Sequence, residues 1–526
     1  SPLSTQSFDG ERRTAKLGGT VFLFYYDGSN IYYRYSIDNG KTWTGKIKAG
    51  AGTGVMLGPD NHRWTIASTR ESATKYHVTI FYFRESTDKV STEFYGMHGV
   101  LDISKSPTKI TWDSEKRIFY RTNHSSCASG HGVCPAAAAA SDTSGNIYVA
   151  FRYKSISDGY YYYRIYKSSD RGATWPLSPS LGGVRSISQD RIQISLTRLP
   201  SGDMLFVYTT YSGSEIGYRT LYQGTWQTFK TTNGANMLQT YKQISADSDG
   251  SAAAYVAFTA TSGSNSAALK VAKWTTGNPS VSPTISLVGS TLSHSLPSVS
   301  ATASHIYIHT LASGKIYRTD NSGGTWGTPT NPFGTSFSSP NSLTSAVSYP
   351  AVVWTEGSSS PYTIRYGGIL IDLTEVRNKY GSVYEIPGEP SNSNTVDIKY
   401  VISAPGKIKI DIVDDATGSA IATTNELTRS VGTYTWSPIW PWKSTPDSYR
   451  VVAYWKDGFS TFVIDENIKG FVQADKLACS NCVDGWSPNM YTRAERGSSH
   501  LGSDYTKFKF YYWYWDNSVY NPDQGT

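Results

Sequence analysis

The sequence predicts an all-β fold, namely a seven-bladed β-propeller (six blades being the alternative) followed by a small antiparallel β-sandwich and an aromatic C-terminal tail. Two observations predict the propeller: an apolar strand-like segment recurs at roughly 50-residue spacing, and one eight-residue turn recurs after strand-like segments. Small-residue runs such as Pro135–Ala140 precede some of these segments, as crowded strands around an axis require. The recurring segments are Val21–Tyr25, Val78–Tyr82, Ile147–Phe151, Met204–Tyr208, Ala254–Phe258, Ile306–Thr310 and Ala351–Thr355.

The recurring turn reads S-x-D-x-G-x-T-W and is found at Ser36–Trp43, Ser168–Trp175 and, with asparagine for aspartate, Thr319–Trp326. We expect the Asx oxygen to accept local backbone N–H bonds, the glycine to supply a positive φ and the tryptophan to enter a core. The turn resembles the Asp box, or BNR repeat, of the sialidase-like β-propellers. The resemblance implies a structural role, at the outer strands of a blade, for Asp38, Asp170, Asn321, Trp43, Trp175 and Trp326.

Charge and hydropathy exclude some classes of protein. The net charge is +7, from 48 basic and 41 acidic residues without a basic block, which disfavours a nucleic-acid partner and is compatible with an acidic polysaccharide or an anionic cell surface. No apolar run is long enough to span a membrane. The sequence begins Ser1-Pro2, without methionine, so we expect a cleaved secretion signal and a secreted or cell-surface location.

The four cysteines form two close pairs, for which we predict local disulfides: Cys127 with Cys134, and Cys479 with Cys482. A zinc or redox site is the alternative, since His124 and His131 flank the first pair, but the spacing matches no standard zinc finger. Asn123 is a candidate glycosylation site.

No cofactor or metal site is predicted, although calcium remains open at one place. Asp411, Asp414 and Asp415 could hold a calcium ion on an edge of the sandwich, and a solvated turn explains them equally well.

The chain is predicted to consist of a propeller (1–375), a linker (376–394), a sandwich (395–470) and a cysteine-containing tail (471–526). The segments Pro405–Ile421, Gly432–Trp436 and Pro446–Trp455 resemble, in their order, the FlgD-like immunoglobulin fold, which implies the sandwich. Asp372–Arg377 is predicted as a short helix. We expect Ser7–Ala15 to close the last blade, because an open blade edge leaves backbone groups unpaired.

The tail carries seven aromatic residues between positions 508 and 515. Such a segment must be buried, either in its own chain or by strand addition to a neighbouring molecule. The residues predicted to serve in assembly are Phe508, Phe510, Tyr512, Trp513 and Trp515.

A sialidase requires three arginines, a tyrosine activated by glutamate, and an acidic residue; the family's Arg-Ile-Pro signature is absent, and Glu11–Thr14 stands in its place. The starts of the inner strands are expected to line the propeller mouth. There, His131 or Tyr241 could act as the base of a BNR-type polysaccharide lyase, with Arg191 neutralising a uronate; a merely polar channel is the alternative. The predicted substrate-binding residues are His62, Arg63, Asp190, Arg191, Tyr241, Lys242 and His294.

Three functions therefore stand open. The missing catalytic signature and the aromatic tail favour an extracellular structural or adhesive surface protein that self-associates through its C-terminal region. A carbohydrate-active enzyme, either lyase or sialidase-like glycosidase, is the second hypothesis. A glycan-binding module without turnover is the third.

Overall fold

The computed structural model divides the chain into two compact units, Ser1–Gly368 and Ile369–Thr526. No helix among the residues it describes is long and apolar enough to cross a membrane. It describes residues 13–520 with the exception of 19, 27–29, 38–42, 51–63, 86–91, 106–108, 122–135, 155–160, 187–192, 210–214, 238–243, 250–251, 263–264, 290–291, 302–305, 323–324, 330, 332–341, 346–351, 357–362, 368–370, 379–395, 403–405, 415–416, 418, 430–431, 439–446, 458–459, 474–490, 496–506, 512–514 and 517–518.

The first unit is a series of antiparallel sheets, numbered here along the chain, in which consecutive strands pair, except that the fifth strand of each five-stranded sheet pairs with the third strand. Sheet 1 consists of β1 (Thr14–Leu17), β2 (Thr20–Tyr26), β3 (Ile31–Ser36) and β4 (Ile47–Lys48). Sheet 2 consists of β5 (Trp64–Arg70), β6 (Lys75–Glu85), β7 (Thr92–Asp102), β8 (Ile110–Trp112) and β9 (Lys116–Arg121). Sheet 3 consists of β10 (Ala137–Ser141), β11 (Ile147–Lys154), β12 (Tyr161–Ser168) and β13 (Leu181–Ser186).

Sheets 4 to 7 repeat this plan. Sheet 4 consists of β14 (Ile194–Arg198), β15 (Met204–Thr209), β16 (Ile216–Tyr222), β17 (Thr225–Trp226) and β18 (Lys230–Thr231), with a 3₁₀ turn at Pro200–Gly202. Sheet 5 consists of β19 (Ile244–Ser248), β20 (Ala254–Ser262), β21 (Asn265–Trp274) and β22 (Thr284–Gly289). Sheet 6 consists of β23 (Ser295–Ala301), β24 (Ile306–Ala312), β25 (Lys315–Ser322) and β26 (Thr325–Trp326). Sheet 7 consists of β27 (Ser342–Ser345), β28 (Val352–Glu356) and β29 (Thr363–Gly367).

The first strands of consecutive sheets lie next to one another, from β1 and β5 through to β23 and β27. The apolar core lies between sheets, because each hydrophobic cluster combines residues of two consecutive sheets. Sheets stacked face to face around their first strands form a β-propeller, as the sequence predicts. Ala137–Ala139 are fully buried in β10, where larger side chains would hold the neighbouring sheets apart. The blade number stays a prediction, because parts of this unit lie outside the described residues.

The prediction that Ser7–Ala15 closes the last blade is wrong for Thr14 and Ala15. Thr14 and Ala15 belong to β1, where they pair with Leu23 and Phe22 as the first strand of sheet 1. Backbone pairing with β2 and burial of Ala15 outweigh an edge position in the last sheet. Residues 7–12 lie outside the described residues.

The turn at Ser168–Trp175 connects the third and fourth strands of sheet 3. Asp170 Oδ1 accepts hydrogen bonds from Ser168 Oγ (2.6 Å) and from Thr174 N (2.9 Å), and Gly172 adopts a φ of 94°. Burial acts to raise the pKa of Asp170, but the hydrogen bonds from Ser168 and Thr174 outweigh burial and place this pKa below its ordinary value. The Asx oxygen and the glycine therefore hold the turn locally; kinship with the Asp-box family stays a prediction.

The third copy of the turn has a different backbone. Here β25 continues to Ser322, which pairs with Thr325 of β26, whereas in sheet 3 the third strand ends at Ser168. Of the first copy, Ser36 and Trp43 are described and Asp38 is not.

A Thr-Trp dipeptide marks the fourth strand in more sheets than the turn motif reveals. Thr111-Trp112 lies in β8 and Thr225-Trp226 forms β17. These tryptophans pack between sheets: the Trp112 ring lies 6.4 Å from that of Phe24 in sheet 1. Trp175 lies 5.3 Å from Phe81 in sheet 2. The dipeptide is therefore a marker of the contact between consecutive sheets.

The second unit contains two sheets and two hairpins. One sheet has the order β30 (Ile371–Asn378), β31 (Val396–Ile402) and β35 (Gly432–Trp436). The other has β33 (Ala420–Thr423) and β34 (Leu427–Arg429) beside β32 (Gly406–Asp414), then β36 (Asp447–Asp457) and β37 (Ser460–Gln473). The hairpins are β38 (Tyr491–Glu495) with β39 (Lys507–Tyr511), and β40 (Trp515–Asp516) with β41 (Val519–Tyr520).

The helix predicted at Asp372–Arg377 is wrong, because these residues lie in β30 and pair with β31 along its length. A partner strand satisfies the backbone groups that a short, isolated helix leaves open at its ends. The two units meet at residues 368–369, before the predicted boundary at 375, so β30 belongs to the second unit. Likeness to the FlgD-like fold stays a prediction.

Candidate functional site

Most residues predicted for the mouth lie outside the described residues. They are His62, Arg63, His131, Asp190, Arg191, Tyr241 and Lys242. The same holds for Asn123, for Asp415 and for the predicted disulfide residues Cys127, Cys134, Cys479 and Cys482. The roles given to them therefore stay predictions.

His294 is the predicted mouth residue that the structure describes. It directly precedes β23, it is 1% exposed, and its backbone N–H donates to Ala267 O (2.8 Å). Neither ring nitrogen has a hydrogen-bond partner among the described residues. Burial lowers the pKa of His294 to about 4, so the ring is neutral at ordinary pH. His294 can accept or donate one hydrogen bond but does not supply a positive charge for a uronate.

A cavity of about 310 Å³ lies on the propeller axis. Its walls come from the last residues of β5, β10, β14 and β19 and from Thr14 and Ala15 of β1. Since the same ends of four first strands meet here, these strands run side by side in one direction. The cavity therefore lies at the opposite end of the strands from the predicted mouth.

The carboxylates at the cavity are engaged by the protein itself. Asp142, in the turn after β10, accepts hydrogen bonds from Ser144 N (2.9 Å), Asn146 N (2.9 Å) and Asn146 Nδ2 (2.6 Å). Asp247, 4% exposed in β19, accepts one from Ala301 N (2.9 Å) in the neighbouring sheet. These bonds fix the turn and join sheets 5 and 6, so both carboxylates are at least partly satisfied without a ligand.

The arginine side chains at the cavity form fewer hydrogen bonds within the protein than the carboxylates do. Arg70, the exposed last residue of β5, donates from Nε to Ser72 O (2.8 Å). The side chain of Arg198, the half-buried last residue of β14, forms neither a hydrogen bond nor an ion pair with any residue that the structure describes. Hydroxyl groups complete the polar wall, among them those of Ser68, Thr69 and Thr197. Guanidinium and hydroxyl groups are therefore the polar groups of the cavity that can form hydrogen bonds with a ligand.

Sequence reasoning missed this end of the axis, although a signal was present. The small-residue strand Pro135–Ala140 was recognised, and Asp142 follows it directly in a Gly- and Ser-containing turn. Arg70 and Arg198 each occupy the last position of a first strand. The residues at the ends of these strands, and not only those at their starts, therefore carry the sequence signal for the cavity.

A buried tyrosine of sheet 2 forms a hydrogen bond with a glutamate carboxylate. The hydroxyl of buried Tyr82 donates to Glu115 Oε2, and Arg84 Nη2 donates to the same oxygen at 2.6 Å. Burial, and then the Glu115 carboxylate, raise the pKa of Tyr82 well above its ordinary value. The raised pKa keeps the phenol protonated, and the hydrogen bond links β6 to the segment between β8 and β9.

No protein-family model matches the chain, and no curated protein matches its sequence. Among solved structures, the β-propeller domain of the Trilobed protease from Pyrococcus furiosus has a TM-score of 0.37 at 10% identity, over 69% of this chain and 93% of that chain. Trypanosoma rangeli sialidase in complex with the inhibitor DANA has a TM-score of 0.36 at 11% identity, over 89% of this chain and 84% of that chain. Polysaccharide lyase Uly1 has a TM-score of 0.32 at 10% identity, over 61% and 91%. At such scores, the likeness assigns no activity.

Proposed function

We propose that this chain is an extracellular adhesive protein whose propeller binds the anionic end of a glycan at the axial cavity. The observation that supports it is that the protein itself donates hydrogen bonds to the carboxylates at the cavity, whereas one arginine side chain there has no partner among the described residues. Asp142 and Asp247 accept hydrogen bonds from the propeller's own backbone, whereas Arg198 has no partner among the described residues. Guanidinium groups beside hydroxyls suit a ligand with an oxyanion and hydroxyls of its own.

The size and the charge of the protein agree with this ligand class. A volume of about 310 Å³ is at the lower end of the ~300–1,000 Å³ usual for small-molecule sites, which suits one terminal sugar unit. The net charge of +7 draws an anionic polymer toward the surface before it docks. A carboxylated sugar and a sulfated sugar share the required chemistry.

The C-terminal region supports the adhesive part of the proposal. The backbone of β39 pairs with β38 of the same chain, and this sheet has two strands among the residues described. A two-stranded hairpin is marginal by itself, and its edge can accept a further strand. We propose self-association through the predicted assembly residues, from Phe508 to Trp515.

Calorimetric titration of the full chain tests the glycan site. The ligands are oligosaccharides that end in a uronate, a sulfated sugar or a neutral sugar. We expect Arg198→Ala to weaken binding of the anionic ligands about 10- to 100-fold, as the loss of a charged hydrogen bond predicts, and Arg198→Lys to weaken it less. Arg117→Ala is the matched control, because Arg117 is 53% exposed and pairs with Glu93 (3.2 Å) away from the cavity.

Two results would contradict the proposal. One is unchanged affinity of Arg198→Ala for every anionic ligand that the wild type binds. The other is equal affinity of the wild type for neutral and anionic oligosaccharides. Release of an unsaturated uronate during the titration, abolished by His131→Ala or Tyr241→Phe, would instead support the lyase hypothesis at the predicted mouth.

A further inference from the structure

Two buried histidines lie side by side in sheet 2, on the face that packs against sheet 3. His77 of β6 and His98 of β7 are 8% and 5% exposed. Their rings stack at 5.2 Å, with Nδ1 of His77 2.9 Å from Nε2 of His98. Thr79, next to them, is fully buried, and a Cβ at Gly172 in the turn of sheet 3 would lie 2.2 Å from its hydroxyl. The pair therefore lies close to Thr79, the residue of sheet 2 against which this turn of sheet 3 packs.

Each histidine also contacts a carboxylate through its other nitrogen. His77 Nε2 lies 2.6 Å from Oε2 of Glu71, in the turn before β6. His98 Nδ1 lies 2.6 Å from Oδ2 of Asp113, just after β8. The four side chains form one continuous chain of three polar contacts, carboxylate to imidazole to imidazole to carboxylate.

The number of protons that the three contacts require determines the net charge of the two imidazole rings. An ionised carboxylate only accepts, so each of the three contacts needs one proton from an imidazole. Two neutral imidazoles carry two N–H groups in total, which leaves one contact without a proton. Three N–H groups on two rings make one imidazolium, and all three contacts are then satisfied.

We propose that His77 and His98 share one extra proton, with His98 as the imidazolium and His77 as the neutral Nε2–H tautomer. His98 then donates to Asp113 from Nδ1 and to His77 from Nε2. His77 accepts at Nδ1 and donates from Nε2 to Glu71. Every ring nitrogen and both carboxylates then take part in a hydrogen bond, and sheet 2 gains a proton-dependent set of contacts on the face that packs against sheet 3.

The charges around the pair favour this assignment. His77 faces Arg171 from the turn of sheet 3, and Glu71 is shared with Lys75 (3.0 Å). Burial, the largest influence, lowers the pKa of His77, and His98 and Arg171 lower it further against the opposing Glu71. On the other side, Asp113 is the carboxylate that contacts His98. The extra charge therefore belongs on His98.

The pair titrates as one unit in two steps, and each step affects stability in a different direction. The three hydrogen bonds are complete only while the pair holds its one extra proton, so sheet 2 loses this stabilisation when that proton leaves at higher pH. A second extra proton would bring two N–H groups face to face, in keeping with the lowered pKa of His77; unfolded histidines take it up near ~6.5, so the folded state loses stability below that pH. Stability of sheet 2 therefore peaks between the two steps.

Nitrogen-15 NMR of the full chain labelled at histidine tests the proposal. At about pH 7 we expect one ring with two protonated nitrogens and one with the Nε2–H tautomer, joined by a hydrogen bond. Asp113→Asn should return the imidazolium signal to neutral at that pH, because the amide no longer balances its charge. Asp102→Asn is the matched control, since Asp102 lies at the end of β7 and pairs with Lys105 (3.5 Å).

Thermal unfolding between about pH 5 and pH 9 gives a second readout, with His98→Gln as the variant. We expect the midpoint of the wild type to fall as pH rises above neutral, and the midpoint of His98→Gln not to fall. If His98→Gln does not fold, Asp113→Asn serves in its place. Two rings that are both neutral at pH 7, or that titrate independently near ~6.5, would overturn the proposal.

Discussion

Trp274 is the tryptophan whose removal should cost most. It ends β21, it is 2% exposed, and its ring meets that of Tyr218 in sheet 4 edge to face at 5.4 Å. A tryptophan buries on the order of 200 Å², and at about 25 cal/mol per Å² this contributes about 5 kcal/mol. Allowing for the methyl that alanine retains, Trp274→Ala should lower the free energy of unfolding by about 4 kcal/mol, within the range of about 3–5 measured for such changes.

The thermal midpoint of the propeller unit measures this loss. Unfolding entropy of about 2.1 cal/mol/K per residue gives about 0.77 kcal/mol/K for a unit of 368 residues, so 4 kcal/mol lowers the midpoint by about 5 °C. Leu177→Ala is the control: this side chain is 99% exposed, and its removal should shift the midpoint by less than about 1 °C. If both variants unfold at the same temperature, the sheet-to-sheet core does not stabilise the unit as described.

Two further predictions concern the turn of sheet 3 and the tail. Gly172→Ala should lower the free energy of unfolding by about 2–4 kcal/mol, since φ is 94° and a Cβ would lie 2.2 Å from Thr79 Oγ1. Urea titration measures this loss; in the same experiment Gly224→Ala, with a φ of 78° and no atom within 4 Å, should cost about 1 kcal/mol, and equal losses would show that the contact with Thr79 is unimportant. Deletion of residues 505–526 should abolish self-association in sedimentation analysis, and assembly that survives the deletion would place the interface elsewhere.

Strand positions followed from the sequence because their causes are local. Val78–Tyr82 and Met204–Tyr208 carry β-branched and aromatic residues, and both segments form second strands of their sheets. The helix predicted at Asp372–Arg377 failed for a reason that is not local. Its partner, β31, begins at Val396, and only pairing across that distance makes the segment a strand.

The grouping of residues at the axial cavity is likewise not a local property of the sequence. Arg70 and Arg198 are far apart in sequence, and they line one space because first strands from different sheets end together. Asp142 is engaged by its local turn and Asp247 by a contact between sheets, and neither carboxylate pairs with Arg198. Neither contact has a sequence period that pattern reasoning could detect.

Strand periodicity, turn chemistry and small-residue spacing are local properties, and they were enough to predict a β-propeller followed by an all-β unit. Which polar groups meet depends on contacts between distant parts of the chain. His77 and His98 face each other only because β6 and β7 pair in one register, in which Thr79 lies opposite His98. A shift of one residue would turn one ring to the other face of the sheet, and register depends on packing between sheets that no local pattern specifies.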